Sequence, residues 1–221
     1  MEPLFVILVV ILIGAVIAYS FYAAAQRRKL LSEWAHSRSL RFNPARIHDM
    51  DSRYGDFKCL HRGRNRHAFN VITGQLDGRE INAFDYRYTT GSGKNRQTHN
   101  FSAMIVTAPI PLKPLFIRRE GFFDKVTEFF GADDIDFESA EFSRKFFVKS
   151  PDKKWAYDVI HQRMMEYLLE APKLSIQFAG EAIIAWSVLR FTPGDFQAAF
   201  DMIEGMLQRL PEYLVKQQTG Q

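Results

Sequence analysis

The chain contains a single cysteine, Cys59. An internal disulfide is therefore impossible, and the domain must hold itself together by packing, as suits a reducing compartment. The recognition patterns of the common enzyme classes are also missing. There is no Gly-x-Ser-x-Gly elbow, no His-Glu-x-x-His pair, no Cys-x-x-Cys and no dinucleotide-binding glycine pattern. No internal repeat or low-complexity run occurs. Most telling is a local absence: no Asp, Glu, Lys, Arg or His lies between Glu2 and Arg27.

What fills that gap is PLFVILVVILIGAVIAYSFYAAA, residues 3–25, followed at once by QRRK. At about 1.5 Å rise per residue, a helix of this length reaches across roughly 30 Å of hydrocarbon. Ala23-Ala24-Ala25 resembles a signal-peptide cleavage site. However, no basic residue precedes the run, and the run is longer than a signal peptide's apolar core of about 7–15 residues. Residues 1–26 are therefore expected to be an uncleaved single-pass membrane helix. Arg27, Arg28, Lys29, Arg38 and Arg41 follow it, and only Glu2 and the α-amino group precede it. The positive-inside rule then places the N-terminus outside and the rest of the chain in the cytoplasm. Tyr19, Tyr22 and Trp34 fall near the inner interface, where amphipathic rings are favoured.

The overall charge of +4 conceals an asymmetry. Residues 26–66 carry eleven Lys/Arg against four acids, a net +7, whereas residues 67–221 carry eighteen against twenty, a net −2. Positive charge is thus concentrated beside the membrane. Residues 27–48 are expected to be a basic juxtamembrane segment. Arg27, Arg28, Lys29, Arg62, Arg64 and Arg66 are the candidates for contact with anionic lipid, each contributing up to about 1 kcal/mol. RGRNRH (62–67) is too short, and stands in too acidic a remainder, to indicate nucleic acid.

Residues 49–221 should form a cytosolic α+β domain with a largely antiparallel sheet and interspersed helices. The anchor helix should run on to about Arg38 through the stripe Leu30, Leu31, Trp34 and Ala35. Asp49 or Asp51 can cap a helix carrying Tyr54, Phe57 and Leu60 and ending at Gly63. AFNVITGQL and REINAFDYRY read as a hairpin about Asp77-Gly78. Residues 101–109 and 114–120 read as two strands kept apart by Pro109, Pro111 and Pro114. A short helix with Phe122, Val126, Phe129 and Phe130 on its apolar face should stop at Gly131. A strand is expected over 141–149, a long helix over 152–170, a second hairpin from KLSIQFAG and EAIIAWSVL, and a helix over 193–209 capped by Thr192 with Pro193 in its first turn.

Candidate chemistry is sparse. TTGSGKNRQTH (89–99) contains Gly-Ser-Gly-Lys, but a phosphate loop needs Gly where Tyr88 stands and Ser or Thr where Asn95 stands. A solvated hairpin tip is the expectation. Cys59, His61 and His67 supply one weak pair, not the doubled pairs of a zinc site, so no metal is expected. Asp133, Asp134, Asp136, Glu138 and Glu141 lack the alternation and central Gly of a calcium loop, and should form a solvated turn. In FDYRY (84–88), strand alternation turns Phe84, Tyr86 and Tyr88 one way and Asp85 and Arg87 the other. This reads as an aromatic core face with an exposed ion pair. Alternatively Asp85, Tyr86 and Tyr88, together with Arg118 and Arg119, form a binding surface.

The pattern Phe137-Glu138-x-x-Glu141-Phe142-x-x-x-Phe146-x-Val148, continued by Asp152, Ala156, Met164 and Leu168, resembles the C-terminal part of a bacterial domain-of-unknown-function family. Proteins of that family are usually membrane-anchored. The resemblance covers about a quarter of the chain and implies a bacterial source and a membrane setting, here the inner (plasma) membrane, with no activity and no catalytic residues. The expected function is a protein- or ligand-binding module at the inner membrane surface, without cofactor, and with another protein as a partner. Two alternatives stand beside it: a membrane-tethered hydrolase using carboxylates or His on the sheet, and an anionic-lipid module using residues 27–66.

Overall fold

The computed structural model describes residues 2–120 and 134–219. The helix expected over Phe122–Phe130 lies outside them. Helix α1 (Glu2–Ser37) is 36 residues long, about 54 Å at the usual rise. It is long and apolar enough to cross a membrane, by length and composition. Residues 5–22 of the helix are exposed, Phe5, Ile11 and Tyr22 among them. Its last three turns change character: Leu31 and Ala35 are fully buried in the domain core.

The sheet has six strands: β1 (Arg41–Asn43), β2 (Arg64–Leu76), β3 (Arg79–Thr90), β4 (Gln97–Arg119), β5 (Phe146–Lys149) and β6 (Ser175–Ser187). They pair in the order β1-β2-β3-β4-β5, with β6 also on β4, and every pairing is antiparallel. The expected α+β class holds. β1 comes from the segment expected to be a juxtamembrane linker, so the domain begins inside α1 rather than at residue 49. The β2–β3 turn falls on Asp77-Gly78 as expected. Both residues take left-handed φ values, 48° and 82°, as a two-residue hairpin with native twist requires.

Helices cover both faces of the sheet. On one face lie α1, α4 (Lys153–Val159), α5 (Gln162–Glu170), α6 (Pro193–Leu207) and α7 (Glu212–Thr219). The other face carries α2 (Met50–Arg53) and a 3₁₀ turn at Lys58–His61, whose Met50, Phe57 and Leu60 pack on Phe84, Tyr86, Phe101 and Trp186. The helix expected to carry Tyr54, Phe57 and Leu60 therefore breaks into two short turns around Gly55.

Four other expectations are corrected. Residues 101–109 and 114–120 form one 23-residue strand, β4. Pro109 and Pro111 are exposed and alternate with buried Ala108, Ile110 and Leu112. They stand between the last residue paired to β3 (Val106) and the first paired to β5 (Phe116), and within the break in the β6 ladder between Thr107 and Leu112, so no strand needs their missing N–H. β6 is likewise one strand, bent at Gly180 with φ 56° opposite Leu112. Residues 140–145 are helical (α3, Ala140–Lys145) before β5, because the Ser139 hydroxyl accepts from the Phe142 N–H and starts a turn. The helix over 152–170 is two helices. His161 between them is extended (φ −74°, ψ 173°), and its ring nitrogen contacts the Arg209 carbonyl at 2.8 Å.

Helix α6 starts as expected. The Thr192 hydroxyl accepts from the Asp195 N–H, and the Asp195 carboxylate accepts from the Thr192 N–H, closing a capping box with Pro193 in the first turn. Trp34 of α1 stacks on Phe196 of α6 with ring centroids 6.0 Å apart, so the anchor helix and α6 share one seam.

Candidate binding site

Strand alternation in β3 sends Phe84, Tyr86 and Tyr88 into the α2-side core and Ala83, Asp85 and Arg87 toward α1. Asp85 is not exposed and does not pair with Arg87. It is 1% exposed, and it receives four donors. Arg27 Nε reaches Oδ2 at 2.9 Å and Arg27 Nη2 reaches Oδ1 at 2.6 Å. Asn70 Nδ2 donates to Oδ2 at 2.8 Å and Ser102 Oγ to Oδ1 at 2.6 Å. The Ser102 hydroxyl in turn accepts from the Phe191 N–H at 3.0 Å, at the entry to α6. Three strands, the anchor helix and the α6 lead-in thus converge on one buried carboxylate. Its lone pairs are filled, so it serves as an electrostatic anchor point and has no capacity left to act as a base.

Asn70 reaches Asp85 because β2 bulges there. Its φ is 52°, and the register to β3 slips between Phe69 and Ile72. Because the amide nitrogen is committed to Asp85, its carbonyl oxygen is defined as well. That Oδ1 is buried without a partner.

Above this network opens a cavity of about 210 Å³ lined by five arginines, His67 and no acid. Arg27 is neutralised by Asp85. Arg87 donates through Nε to Asn100 Oδ1 at 3.0 Å, which leaves its charge uncompensated. Arg28, Arg46 and Arg190 are exposed and make no ion pair among the described residues. His67 has its pKa lowered, by burial first; its bond to the Asn65 carbonyl opposes this, and the Arg46, His48 and Arg87 charges add to it. Ala24, in the last turn of the uninterrupted apolar run, lines the same cavity.

Two other hollows exist among the described residues. One of about 540 Å³ lies on the opposite face of the sheet, against Tyr88, His99, Phe101 and Trp186. The His99 ring stacks on Tyr88 with centroids 4.8 Å apart. The other, about 320 Å³ and mainly apolar, lies between Tyr19, Tyr22 and Leu30 of α1 and Pro193 of α6.

The residues singled out from sequence separate into different environments. Arg27 turns inward to Asp85, Arg28 faces the cavity, and Lys29 sits 3.9 Å from Glu33 on the exposed helix surface. Arg66 pairs with buried Asp51 at 2.7 Å, Arg64 donates to the Gly91 carbonyl at 2.5 Å, and Arg62 lies over the Tyr88 ring. Tyr86 is fully buried, its hydroxyl donating to the Leu60 carbonyl at 2.8 Å, and burial raises its pKa. It is core rather than binding surface. Tyr88, 6% exposed, lines the aromatic hollow. Arg118 is buried over the Phe147 ring. Arg119 lies over Phe146 and donates to the Leu168, Leu169 and Ala171 carbonyls, closing the C-terminus of α5. Both are structural.

The candidate carboxylates and histidines do not meet. Asp85 is sealed on the α1 side, His99 is on the other face, and Asp134 accepts from the Ile135 and Val148 N–H groups beside β5. Burial raises the Asp134 pKa despite those two bonds. Lys94 of the Gly-Ser-Gly-Lys stretch sits in an exposed turn at the β3–β4 tip, as expected. Among the described residues no group of three or more His, Cys, Asp and Glu side chains could hold a metal ion. Arg46 and Arg190 escaped the sequence reading. Neither lies in a motif, and 144 positions of chain separate them.

No family model and no curated protein matches this chain. A similar solved structure is the crystal structure of the mycobacterial trehalose monomycolate transport factor A, TtfA. It shares 15% identity and a TM-score of 0.59, over 83% of this chain and 96% of that one. At that identity the likeness concerns the fold.

Proposed function

We propose that this protein is a single-pass membrane protein whose domain serves as a non-catalytic binding module held at the membrane surface. One observation carries the reading: α1 does not merely tether the domain but is built into it. The apolar half of the helix is bare, and the same helix is locked within a few residues by the Arg27–Asp85 bridge and by buried Leu31 and Ala35. A flexible linker would let the domain tumble. This continuous helix fixes which face looks at the bilayer and raises the effective concentration for anything bound there. The separation of Asp85, His99 and Asp134 weighs against the hydrolase reading, because general acid–base chemistry needs its groups within hydrogen-bond reach of one substrate. The similar solved structure is that of a transport factor, and a non-catalytic role is compatible with that.

The orientation with the N-terminus outside and the domain in the cytoplasm of a bacterial inner membrane belongs to the same proposal. It rests on the basic residues that follow the span. The test is affinity purification of the full-length protein from its native membrane, with mass spectrometry of retained proteins and lipids, alongside alkaline extraction of the membrane. A stoichiometric companion and resistance to extraction are expected. Release of the protein by alkali would overturn the membrane reading. A folded protein that retains nothing would overturn the binding role.

A further inference from the structure

The arginine-lined cavity is assembled from five separate pieces of chain: the end of the apolar helix, the β1–α2 connection, β2, β3 and the β6–α6 connection. Arg28, Arg46, Arg87 and Arg190 converge there, and Asp85, the nearest carboxylate, is already consumed by Arg27 and two neutral donors. Holding four guanidinium groups around about 210 Å³ without a counter-charge is unfavourable by mutual repulsion. An anion placed among them reverses that sign. Guanidinium forks match the oxygens of a phosphate in two-point contacts. The cavity's depth is set by Ala24 and Arg28, one turn apart at the point where apolar helix gives way to charge. Lipid phosphates lie at that level of a bilayer.

We infer that this cavity is a binding site for a phosphate group, gripped by Arg28, Arg46, Arg87 and Arg190. It deepens the reading of the domain as a membrane-surface binding module and rests on it for the depth of the site. The site differs from a diffuse basic surface. Arg62, Arg64 and Arg66 play no part in it, since they are engaged with Tyr88, the Gly91 carbonyl and Asp51.

The experiment compares two sources of the same chemistry on the full-length protein. In one arm, glycerol phosphate and inorganic phosphate are titrated calorimetrically into protein in a zwitterionic detergent. In the other, hydrogen exchange at residues 44–48 and 188–191 is compared in nanodiscs of phosphatidylcholine alone and of phosphatidylcholine with phosphatidylglycerol. The R46Q/R190Q variant removes two exposed cations that make no hydrogen bond or ion pair among the described residues. K94Q/K173Q removes the same charge elsewhere. Binding in the first arm identifies a soluble phosphate compound as a sufficient ligand, and protection in the second arm alone identifies a lipid headgroup. In either case R46Q/R190Q should weaken binding about tenfold or more, and K94Q/K173Q less than about twofold. Equal losses in the two variants would reduce the effect to bulk charge and overturn the site, as would no binding in both arms. Alkaline extraction of the native membrane tests the membrane reading separately. A released protein that still binds glycerol phosphate would sink the membrane placement and leave the anion site standing.

Discussion

Replacing Arg27 by Ala should damage this protein far more than loss of a juxtamembrane cation would suggest. The bridge to Asp85 is bidentate, with contacts of 2.9 and 2.6 Å, and the side chains are 16% and 1% exposed. Breaking a buried pair from one side costs about 3–5 kcal/mol, because the remaining charge stays in a poor dielectric. Here Asp85 keeps the Asn70 and Ser102 donors, so the lower end, about 3 kcal/mol, is appropriate. For a domain of this size that corresponds to a fall in Tm of roughly 6–12 °C. The assay is thermal unfolding of the full-length protein in nanodiscs, followed through the buried Trp155 and Trp186. Arg27→Lys keeps the charge but loses the two-point fork, and should recover only part of the loss. Adding Asp85→Asn to Arg27→Ala should bring back stability, since it removes the stranded charge. A Tm shift below about 2 °C for Arg27→Ala, or simple additivity of the two substitutions, would refute the claim that this pair locks the anchor helix to the domain.

Three further substitutions or conditions probe independent features. Gly205→Ala in α6 drives a methyl group into the Tyr167 ring and hydroxyl. It should cost about 1–3 kcal/mol in a melt, with recovery when Tyr167 is also changed to Leu. Thr192→Ala opens the capping box of α6 and should cost about 1 kcal/mol by the same measurement. His67 has a folded pKa below its ordinary 6.5. The unfolded chain therefore takes up that proton first, and stability is intact above pH 6.5 and falls as pH drops through 6.5 toward the folded value. Melts between about pH 7.5 and 5.5 should show this loss in the wild type and a smaller one in His67→Gln; equal slopes would contradict the assignment.

How far these features were legible from sequence follows from how local their causes are. The Asp77-Gly78 hairpin, the Thr192-Pro193 helix start and the membrane-length apolar run each depend on a few adjacent residues, and the structure places each where those residues indicate. Strand continuity does not work that way. Pro109 and Pro111 end a strand only if a neighbour needs their N–H, and whether one does is decided by where β3 stops, where β5 begins and where the β6 ladder breaks. Gly180 looks like a turn but is a bend within one strand, because β4 bulges opposite it. In both places two reasonable punctuation marks fall on a pair of long strands that absorb them together.

The site was hidden for a related reason. FDYRY correctly indicates that Asp85 faces away from the aromatic core. Reading that face as solvent followed from treating α1 as a tether that leaves the domain. Once α1 packs back, the same face becomes the floor of a cavity, and a carboxylate buried there needs a buried cation. Arg27, the first charge after the span, was the cation nearest the membrane and could have been matched to it. Arg46 and Arg190 could not, since only the folded sheet brings the β1–α2 and β6–α6 connections to the same rim. An arginine cluster built from dispersed single residues leaves no motif, and its chemistry exists only in the fold.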